Sequence, residues 1–485
     1  MRNIVLFFIC IVLFFQIRTI EAIDYTTTAE SVSWNGAYTS VADGFEAMLY
    51  NPAGIYMSTR RFGINLLGSG GFRVYNNTFS TDDIIEALII SEGSDPDITN
   101  LINKKLFLMP QFGMDMGMSF RSVLLMTFMR FNNFSLGVSL INKFDGNIVL
   151  SKSIFETVLQ NLSLAQPLEA GVKSSSLFYS DLAVSLSTRV GFLEKLIPVE
   201  AIYAGITSHV YIPLFYYFFD TSLMFQTGEP DPETGLYSYR ANVKGKMTVS
   251  GNYGVMELFK LVMAGDFIPS EVPEFIKVMV GSDGTAGWGI GFDVGTIVKV
   301  NSFFKVGLSV TDIGFFVFPE SSTANLDFNV SISPTRIQEF ANDFASDLQT
   351  AIGTKIQKVP TATFFIPDTA VRTGVAFTPL RNKNMDLLLA LDISVSNFNK
   401  LLTNEYVTFN FSSGLEFRLK KGLFEFPIRT AFNYNSQANV PSISLGSGIH
   451  IGPIKLVFGI KGLEILISDW GAKEFSMGFD FDFEF

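Results

Sequence analysis

The sequence of 485 residues contains one cysteine, Cys10, and two histidines, His209 and His450. The cysteine lies within residues 1–22, which have the layout of a signal peptide, so we expect no disulfide and no cysteine metal site in the mature chain. The sequence also lacks HExxH, DxDxDG and serine-elbow motifs, and with them the residue patterns of common metal-dependent and serine-nucleophile enzymes. We therefore expect no enzyme activity, no cofactor and no bound metal.

Charged residues are also scarce, at 17% of the chain against roughly 25% in typical soluble domains. The net charge is −11, and no cluster of lysine and arginine is interleaved with aromatic residues. Nucleic acid is therefore not an expected partner. Hydrophobic residues make up 48% of the chain, and the mean hydropathy of +0.31 is high for a soluble protein.

A third absence is that of a long apolar run. After residue 22 we find no clean stretch of the ~18 apolar residues that a membrane-spanning helix needs. The longest uncharged aromatic stretch, IPLFYYFF at 212–219, is too short and contains Pro213. Strands that face lipid are another place for apolar residues, because closed barrels satisfy their backbone hydrogen bonds within a bilayer as helices do.

Phenylalanine is abundant, with 50 residues, and much of it lies at every second position. The stretch EFSMGFDFDFEF at 474–485 places six apolar side chains on one face and serine, glycine and acidic residues on the other. A period of two predicts a β-strand. Taken alone, this segment also fits the last strand of a soluble sandwich.

The same alternation recurs at 288–300, 304–312 and 406–420. These strands are longer than the ~5–6 residues usual in soluble sheets and match tilted strands that cross a bilayer. Short turns join them, and their polar faces suit a wet lumen. We predict an all-β fold, a transmembrane antiparallel β-barrel of about 14 strands in the bacterial outer membrane.

Three regions are expected along the chain. Residues 1–22 contain Arg2, an apolar core and Ala22, which predicts a signal peptide. A lipoprotein acylated at Cys10 is the alternative, but its leader would be too short. Residues 23–58 show no sustained period and are expected to plug the lumen, and residues 59–485 are expected to form the barrel.

Four stretches have helical periodicity, namely residues 80–105, 153–166, 254–280 and 334–358. The second begins with Ser153 and Glu156 in the spacing of a capping box. Such insertions are either loop helices that pack on the barrel or an apolar surface that captures a ligand at its mouth.

The run DGFEAMLYNPAGI at 43–55 precedes the first expected strand. In a chain with a signal peptide, barrel strands and a terminal aromatic, it resembles the hatch of the FadL-type (OMPP1/FadL/TodX-like) outer-membrane transporters, in a divergent spirochaete-type branch. The resemblance implies that residues 23–58 form a hatch whose gating element is Asn51, Pro52, Ala53 and Gly54. It also implies a hydrophobic ligand, such as a long-chain fatty acid, that moves on when the hatch changes.

Residues Asn51 and Pro52 suit this role physically. Proline fixes its own φ and favours an extended residue before it, so the Asn51 amide can reach strand backbone groups. An Asx-Pro turn at a strand entrance is the simpler alternative. At the other end, Phe483 and Phe485 are the expected signal for the barrel assembly machinery, although Asp480 stands where such signals usually have glycine.

Two functions remain open from the sequence: a transporter of hydrophobic molecules, and an outer-membrane barrel that serves as a surface-exposed structural, interaction or assembly protein without transport. An apolar lumen near the hatch would favour the first, and a lumen filled with paired charges the second. A secreted soluble β protein is a third, weaker interpretation. The arginines that could clamp a ligand carboxylate, or else pair with lumenal acids, are Arg60, Arg61, Arg73, Arg418 and Arg429.

Overall fold

The computed structural model describes residues 28–78, 80, 109, 113–154, 156, 164, 166–230, 237–251, 285–332, 362–397, 407–436, 440–466 and 473–485. The predicted signal peptide and most of the four predicted helical insertions lie outside these residues. Of the insertion predicted at 153–166, residues 153, 154 and 156 are helical, as is residue 152.

Within these residues, seventeen antiparallel strands form one continuous sheet. In chain order they are β1 (Phe62–Asn76), β2 (Met114–Arg130), β3 (Phe134–Leu150), β4 (Leu168–Arg189), β5 (Ala201–Pro230), β6 (Tyr237–Gly251), β7 (Trp288–Lys299), β8 (Phe304–Phe318), β9 (Ser322–Ile332), β10 (Thr363–Phe365), β11 (Ala370–Arg381), β12 (Met385–Ser396), β13 (Thr408–Lys421), β14 (Phe424–Asn435), β15 (Val440–Ile451), β16 (Ile454–Lys461) and β17 (Glu474–Glu484).

The helices that are described over their whole length are short. They are α1 (Ala29–Trp34), α2 (Gly44–Tyr50) and three 3-10 helices at Pro52–Met57, Leu193–Lys195 and Leu463–Leu466. Within the described part of the chain, no helix has the length and apolar character needed to cross a membrane.

Fourteen of the strands close a ring. Strand β1 pairs with β2 on one side and with β17 on the other, which joins the first strand to the last. The first part of β5 pairs with β7, β7 pairs with β8, and β8 pairs with β11. From β11 to β17 the strands pair in chain order. The predicted antiparallel barrel of 14 strands is therefore confirmed.

The remaining strands, β6, β9 and β10, lie beyond the ring. Strand β5 has 30 residues, and its second half pairs with β6, which in turn pairs with β9. Strand β4, with 22 residues, follows β5 along much of its length. Because ~9–11 residues suffice to cross a bilayer, these strands continue past the ring on the side of the long connections.

The two ends of the barrel differ in their connections. At one end β2–β3, β7–β8, β11–β12, β13–β14 and β15–β16 are joined by turns of a few residues, and at the other end the chain makes its long excursions. In bacterial barrels the short turns face the periplasm and the long loops face outward. The last strand ends at the short-turn side.

The outer surface of the barrel is apolar and the inner surface polar. In β17, Phe475, Met477 and Phe479 are exposed, whereas Asp480 and Asp482 are buried on the lumenal face. The predicted outward faces of 288–300, 304–312 and 406–420 are confirmed by the exposure of residues such as Phe292, Leu308 and Phe411. An apolar exterior of this extent is typical of a β-barrel that faces lipid.

Substitution of a lipid-facing residue tests this orientation. Leu391 lies near the middle of β12 and is exposed, so Leu391→Arg is expected to cost about 2–4 kcal/mol of unfolding free energy in lipid vesicles. Leu423→Arg, in the β13–β14 turn, is the matched control and should cost at most about 1 kcal/mol. Denaturant titration of the folded fraction measures both, and equal losses would contradict the orientation.

Candidate functional site

Residues 28–58, which we call the inner segment, lie inside the ring. The segment is buried over most of its length and contacts all fourteen ring strands. Where the sequence shows no sustained period, the structure has α1, α2 and the 3-10 helix. Helices of six and seven residues are too short to be stable alone, so the barrel wall must hold the segment in shape.

Helix α1 is fixed by local capping and by ion pairs with the wall. The Thr28 side chain accepts a hydrogen bond from the backbone N–H of Ser31 in a capping box. Glu30 Oε1 lies 3.0 Å from Lys455 Nζ and 3.1 Å from Arg429 Nη2. The Glu30 backbone N–H also donates to Asp480 Oδ2 at 3.1 Å. Breaking a buried pair by removing one partner is costly, because the other charge is left unpaired.

The ionisation of Glu30 depends on these contacts. Burial alone would raise the pKa of its carboxyl group, but Lys455, Arg429 and the hydrogen bond from the Tyr38 hydroxyl outweigh burial. Together they hold the pKa of Glu30 well below its ordinary value. The seated segment therefore carries a stable negative charge at this point.

Glycines of the wall let the inner segment approach the strand backbones. Gly205 and Gly295 face each other across β5 and β7. A Cβ atom on Gly205 would lie 2.3 Å from the carbonyl carbon of Pro52, and one on Gly295 would lie 2.0 Å from Asn51 Oδ1. Any larger side chain at either position would displace the segment.

A second row of glycines lies on the other side of the lumen. Gly446, Gly459 and Gly478 are in register across β15, β16 and β17. Cβ atoms on them would meet Ser33 or Ala29 of α1 at 2.7 Å or less. Sequence reasoning missed both rows, whose only signal is that these glycines lie on the polar phase of their strands.

Asn51 joins the inner segment to two neighbouring strands. Its Nδ2 donates to the carbonyl oxygens of Thr39 at 3.0 Å, Thr296 at 3.1 Å and Leu308 at 3.4 Å. Its Oδ1 accepts from the N–H of Ala53 at 3.2 Å and so caps the 3-10 helix. The Asn51 side chain therefore caps the 3-10 helix with its oxygen and reaches strand carbonyls with its amide nitrogen.

The other three predicted gating residues are buried beside Asn51. Pro52 opens the 3-10 helix, and the carbonyl oxygen of Ala53 accepts from Ser187 Oγ at 2.9 Å. Gly54 is required by close packing, because a Cβ there would lie 2.1 Å from the carbonyl oxygen of Ala42. The structure thus brings the four residues together against β4, β5, β7 and β8, while their gating role stays a prediction.

Helix α2 contacts the wall through apolar side chains. Phe45 meets Phe128 of β2 edge to face, with ring centroids 5.0 Å apart. Met48 packs over Gly137 of β3, and Val123 and other wall residues complete the buried cluster. This sector of the inner segment is therefore held by packing, in contrast to the ion pairs of α1.

The lumen wall carries paired charges. Arg73 Nε lies 2.7 Å from Glu474 Oε1, and Lys461 Nζ lies 2.9 Å from the same oxygen. Arg418 pairs with Glu416 at 2.9 Å.

The five candidate arginines can now be placed. Three of them pair with lumenal acids: Arg73, Arg418 and Arg429. The Arg60 guanidinium donates to the carbonyl oxygen of Gly452 at 3.1 Å, and the Arg61 backbone N–H donates to the Phe485 carbonyl at 2.7 Å. Arg60 and Arg61 thus lie at the short-turn end of the barrel.

His209 lies at the centre of a second charged group. Its Nδ1 is 2.9 Å from Asp181 Oδ1, its Nε2 is 3.0 Å from Asp293 Oδ2, and Asp181 also receives Lys143 Nζ at 2.6 Å. Both ring nitrogens therefore face carboxylates, an arrangement that would stabilise a protonated imidazole ring. His450 lies 3.9 Å from Glu425. Among the described residues, no group of three His, Cys, Asp or Glu side chains is arranged to hold a metal ion.

Aromatic rings continue along the lumen beyond His209. Tyr179 and Tyr211 lie two residues from Asp181 and His209 on the same strand faces. We call the six rings in mutual contact the aromatic column; they belong to Tyr179, Tyr211, Tyr216, Phe316, Phe318 and Phe365.

The column is packed through ring faces and edges. Tyr211 stacks on Phe316 with centroids 4.6 Å apart, and Tyr216 stacks on Phe318 at 4.4 Å. The sequence drew attention to 212–219 only as a stretch too short to span a membrane. Contacts between β5 and β8, far apart in the chain, bring these rings together, and no local pattern predicts that.

The last residue takes part in closing the ring. The Phe485 backbone N–H donates to the Phe62 carbonyl at 2.7 Å, and its ring is 59% exposed. Phe483 pairs with Ile64 of β1. These positions place both residues at the seam between the last and first strands, and their role as an assembly signal stays a prediction.

A larger side chain at Gly295 is expected to unseat the inner segment. Gly295→Val would force Asn51 away from the Thr296 and Leu308 carbonyls and so expose residues 28–58 to protease from the short-turn side. Limited proteolysis of the folded barrel in lipid measures this. Gly191→Ala is the control, because no atom lies within 4 Å of the added Cβ. Equal protection of the Gly295→Val protein and the wild type would contradict the close contact between Gly295 and the inner segment.

Acidification is expected to loosen the segment through Glu30. Because the pKa of Glu30 is lowered in the seated state, its ion pairs stabilise seating at neutral pH, and this contribution is lost as the pH falls through the lowered pKa. In a variant with Trp288 and Trp470 changed to Phe, the emission of buried Trp34 should shift to the red in acid. In Glu30→Gln that acid shift should shrink, and an undiminished shift would assign it to other groups.

Comparison with known proteins gives a family and several structural likenesses. No curated protein matches the chain. One similar solved structure is the Ralstonia pickettii toluene transporter TbuX, with 10% identity, coverage of 96% of this chain and 99% of that chain, and a TM-score of 0.42. The P. putida toluene transporter TodX has 8% identity, coverage of 96% and 99%, and a TM-score of 0.45.

A Pseudomonas aeruginosa FadL homologue is also similar, with 10% identity, coverage of 96% of this chain and 98% of that chain, and a TM-score of 0.42. FadL-type barrels are therefore among the solved structures that this chain resembles, and the likeness concerns barrel architecture alone. The model of a family of unknown function, DUF5723, matches residues 52–460, which is most of the chain. The chain belongs to this family.

Proposed function

We propose that the protein is an outer-membrane transporter that carries hydrophobic small molecules through its barrel, with the inner segment as a hatch. The aromatic column is the observation that supports this most. It packs six aromatic rings together inside a barrel whose other inner walls are polar, on the outer side of the inner segment. Burial of apolar ligand surface is favourable by roughly 25 cal/mol per Å², so an apolar molecule that parts these rings would be stabilised by burial among them.

The seating of the inner segment supports a hatch. Among the described residues, the side-chain contacts that hold it against the wall are non-covalent, and its helices are too short to persist outside the barrel. Release would therefore change both the position and the fold of the segment, and reseating would restore them. On the α2 side the contact is apolar packing, through which a hydrophobic molecule can pass without breaking an ion pair.

A second function is favoured by the paired charges around the inner segment. A barrel filled with ion pairs such as Arg429–Glu416 and Arg73–Glu474 is rigid and suits a surface-exposed structural, interaction or assembly protein. In that case the inner segment never moves. The two proposals therefore differ in whether function survives when the segment is locked in place.

Partners follow from the same architecture. The apolar exterior implies contact with outer-membrane lipid, and Phe483 and Phe485 at the closing seam are where barrel assembly machinery would bind. Long-chain fatty acids, the ligands that the sequence resemblance implies, and uncharged hydrophobic compounds are both candidates for the cargo.

Locking the inner segment distinguishes transport from scaffolding. A Cβ on Gly137 would lie 3.2 Å from Met48 Cγ, so Met48→Cys with Gly137→Cys is placed for a disulfide, and the mature chain is expected to contain no other thiol. Uptake of labelled naphthalene and fatty acid into proteoliposomes should fall at least about tenfold on oxidation. This corresponds to an activation free energy for transport that is higher by ~1.4 kcal/mol or more.

Reduction of the disulfide is the control and should restore uptake, while each single cysteine variant should be insensitive to oxidant. If vesicles with the wild-type barrel take up neither compound faster than empty vesicles, the transport proposal is overturned and the structural proposal is favoured. Uptake that continues through the locked barrel would overturn the hatch alone.

A further inference from the structure

We infer that the short-turn end of the barrel binds the headgroups of anionic phospholipids, such as phosphatidylglycerol, in the membrane leaflet around it. The surface consists of the short turns, the β4–β5 connection at the same end, and the strand ends beside them. The inference goes beyond the proposed functions and applies to a transporter and to a structural barrel alike. It depends on the charged and the apolar side chains of this end.

Carboxylates at the short-turn end are already paired with protein cations. The turns, with the two strand residues on either side of each, contain five acidic side chains. All five lie within 3.6 Å of a cation, in the pairs Glu194–Arg189, Glu200–Lys299, Asp386–Lys420, Glu425–Arg418 and Glu484–Lys455. Asp43 of the inner segment is exposed near this end and lies within electrostatic reach of Lys305 and Lys455.

Cations at this end outnumber the acids. Besides the paired ones, Arg60 and Arg130 donate to backbone carbonyls, and Lys305 is partly buried. Five more cations are exposed and form no ion pair with any residue that the structure describes, namely Arg61, Lys195, Arg381, Lys383 and Lys421. Even when a terminal carboxylate on Phe485 is counted, the short-turn end is basic, although the net charge of the chain is −11.

Large apolar side chains are exposed beside these cations. Leu196 follows Lys195 and is 76% exposed, and Leu423 lies two residues from Lys421 and is 79% exposed. Phe303, in the β7–β8 turn, is 51% exposed. Exposed apolar side chains at turn tips are unfavourable in water, whereas cations interleaved with apolar residues are typical of a surface at the level of lipid headgroups.

The distribution of the cations favours lipid over a single protein partner. The five exposed cations lie on four separate connections, before β1 and between β4 and β5, β11 and β12, and β13 and β14. Along the ring, the β4–β5 and β11–β12 connections are four strands apart, which is roughly 20 Å at the usual strand spacing. Lipid headgroups surround the whole barrel and so reach every connection, and anionic ones supply the opposite charge.

Lipid retention by the full-length barrel tests the inference. The protein is released with mild detergent from vesicles of phosphatidylcholine that contain a minor fraction of phosphatidylglycerol, and native mass spectrometry counts the lipids that stay bound. Phosphatidylglycerol should be enriched at least about tenfold over its share of the vesicle lipid, which corresponds to ~1.4 kcal/mol. High salt should reduce this enrichment, because it screens exposed charges.

A matched pair of quadruple variants locates the binding surface. The first carries Arg61→Gln, Lys195→Gln, Lys383→Gln and Lys421→Gln, and its bound lipid should approach the composition of the vesicles. The control removes one arginine and three lysines that are exposed on the outer parts of β4 and β6, through Lys173→Gln, Arg240→Gln, Lys244→Gln and Lys246→Gln. It should keep the wild-type enrichment. The mobility shift of folded barrels on unheated gels verifies that each variant is folded.

The possible outcomes are distinct. Equal retention of the two lipids by the wild type would overturn the inference and leave an acidic protein as the alternative occupant of this surface. An unchanged enrichment in the first variant, or an equal loss in both, would also overturn it. If the first variant does not fold, the double variant Lys195→Gln with Lys421→Gln should still lower the enrichment. No cargo is used, so the result does not depend on the transport proposal.

Discussion

Closure of the ring between β1 and β17 is the constraint on which the rest of the structure depends. In a bilayer every strand N–H and C=O group needs a partner within the protein, and only a closed sheet supplies one to the first and the last strand alike. The pairing of Val74 with Phe475 and of Gly63 with Glu484 meets this need. Once the ring is closed, period-two alternation sorts phenylalanine to lipid and acids to the lumen.

Closure also creates an interior that must be filled or hydrated, and the inner segment fills part of it. The wall approaches the segment closely where glycine replaces larger residues, as at Gly205 and Gly459. The ion pairs of Glu30 with Lys455 and Arg429 then fix which part of the segment faces which strands. Packing therefore supplies the close fit and electrostatics supplies the register.

The sequence predicts the repeated features of this fold and misses the ones that depend on distant contacts. Strand β17 and the outward phase of Phe409 and Phe411 follow from local alternation, whereas the gating role of Asn51 stays a prediction. The His209 group could not be predicted, since its carboxylates come from β4 and β7. The 30-residue β5 was also missed, because its bulge near Pro213 interrupts the pattern within one strand.

The ion-paired contacts of the inner segment and the aromatic column lie at different depths in the same lumen. A barrel rich in ion pairs is for this reason compatible with transport. Charges that pair with the wall or with the inner segment hold the barrel and its contents in one arrangement. The packed rings at the outer level and the apolar face of α2 against Phe128 and Val123 are two apolar regions inside the same barrel. A lumen can thus be rich in paired charge and still conduct hydrophobic molecules, provided that the charges are already paired and the apolar surfaces are continuous.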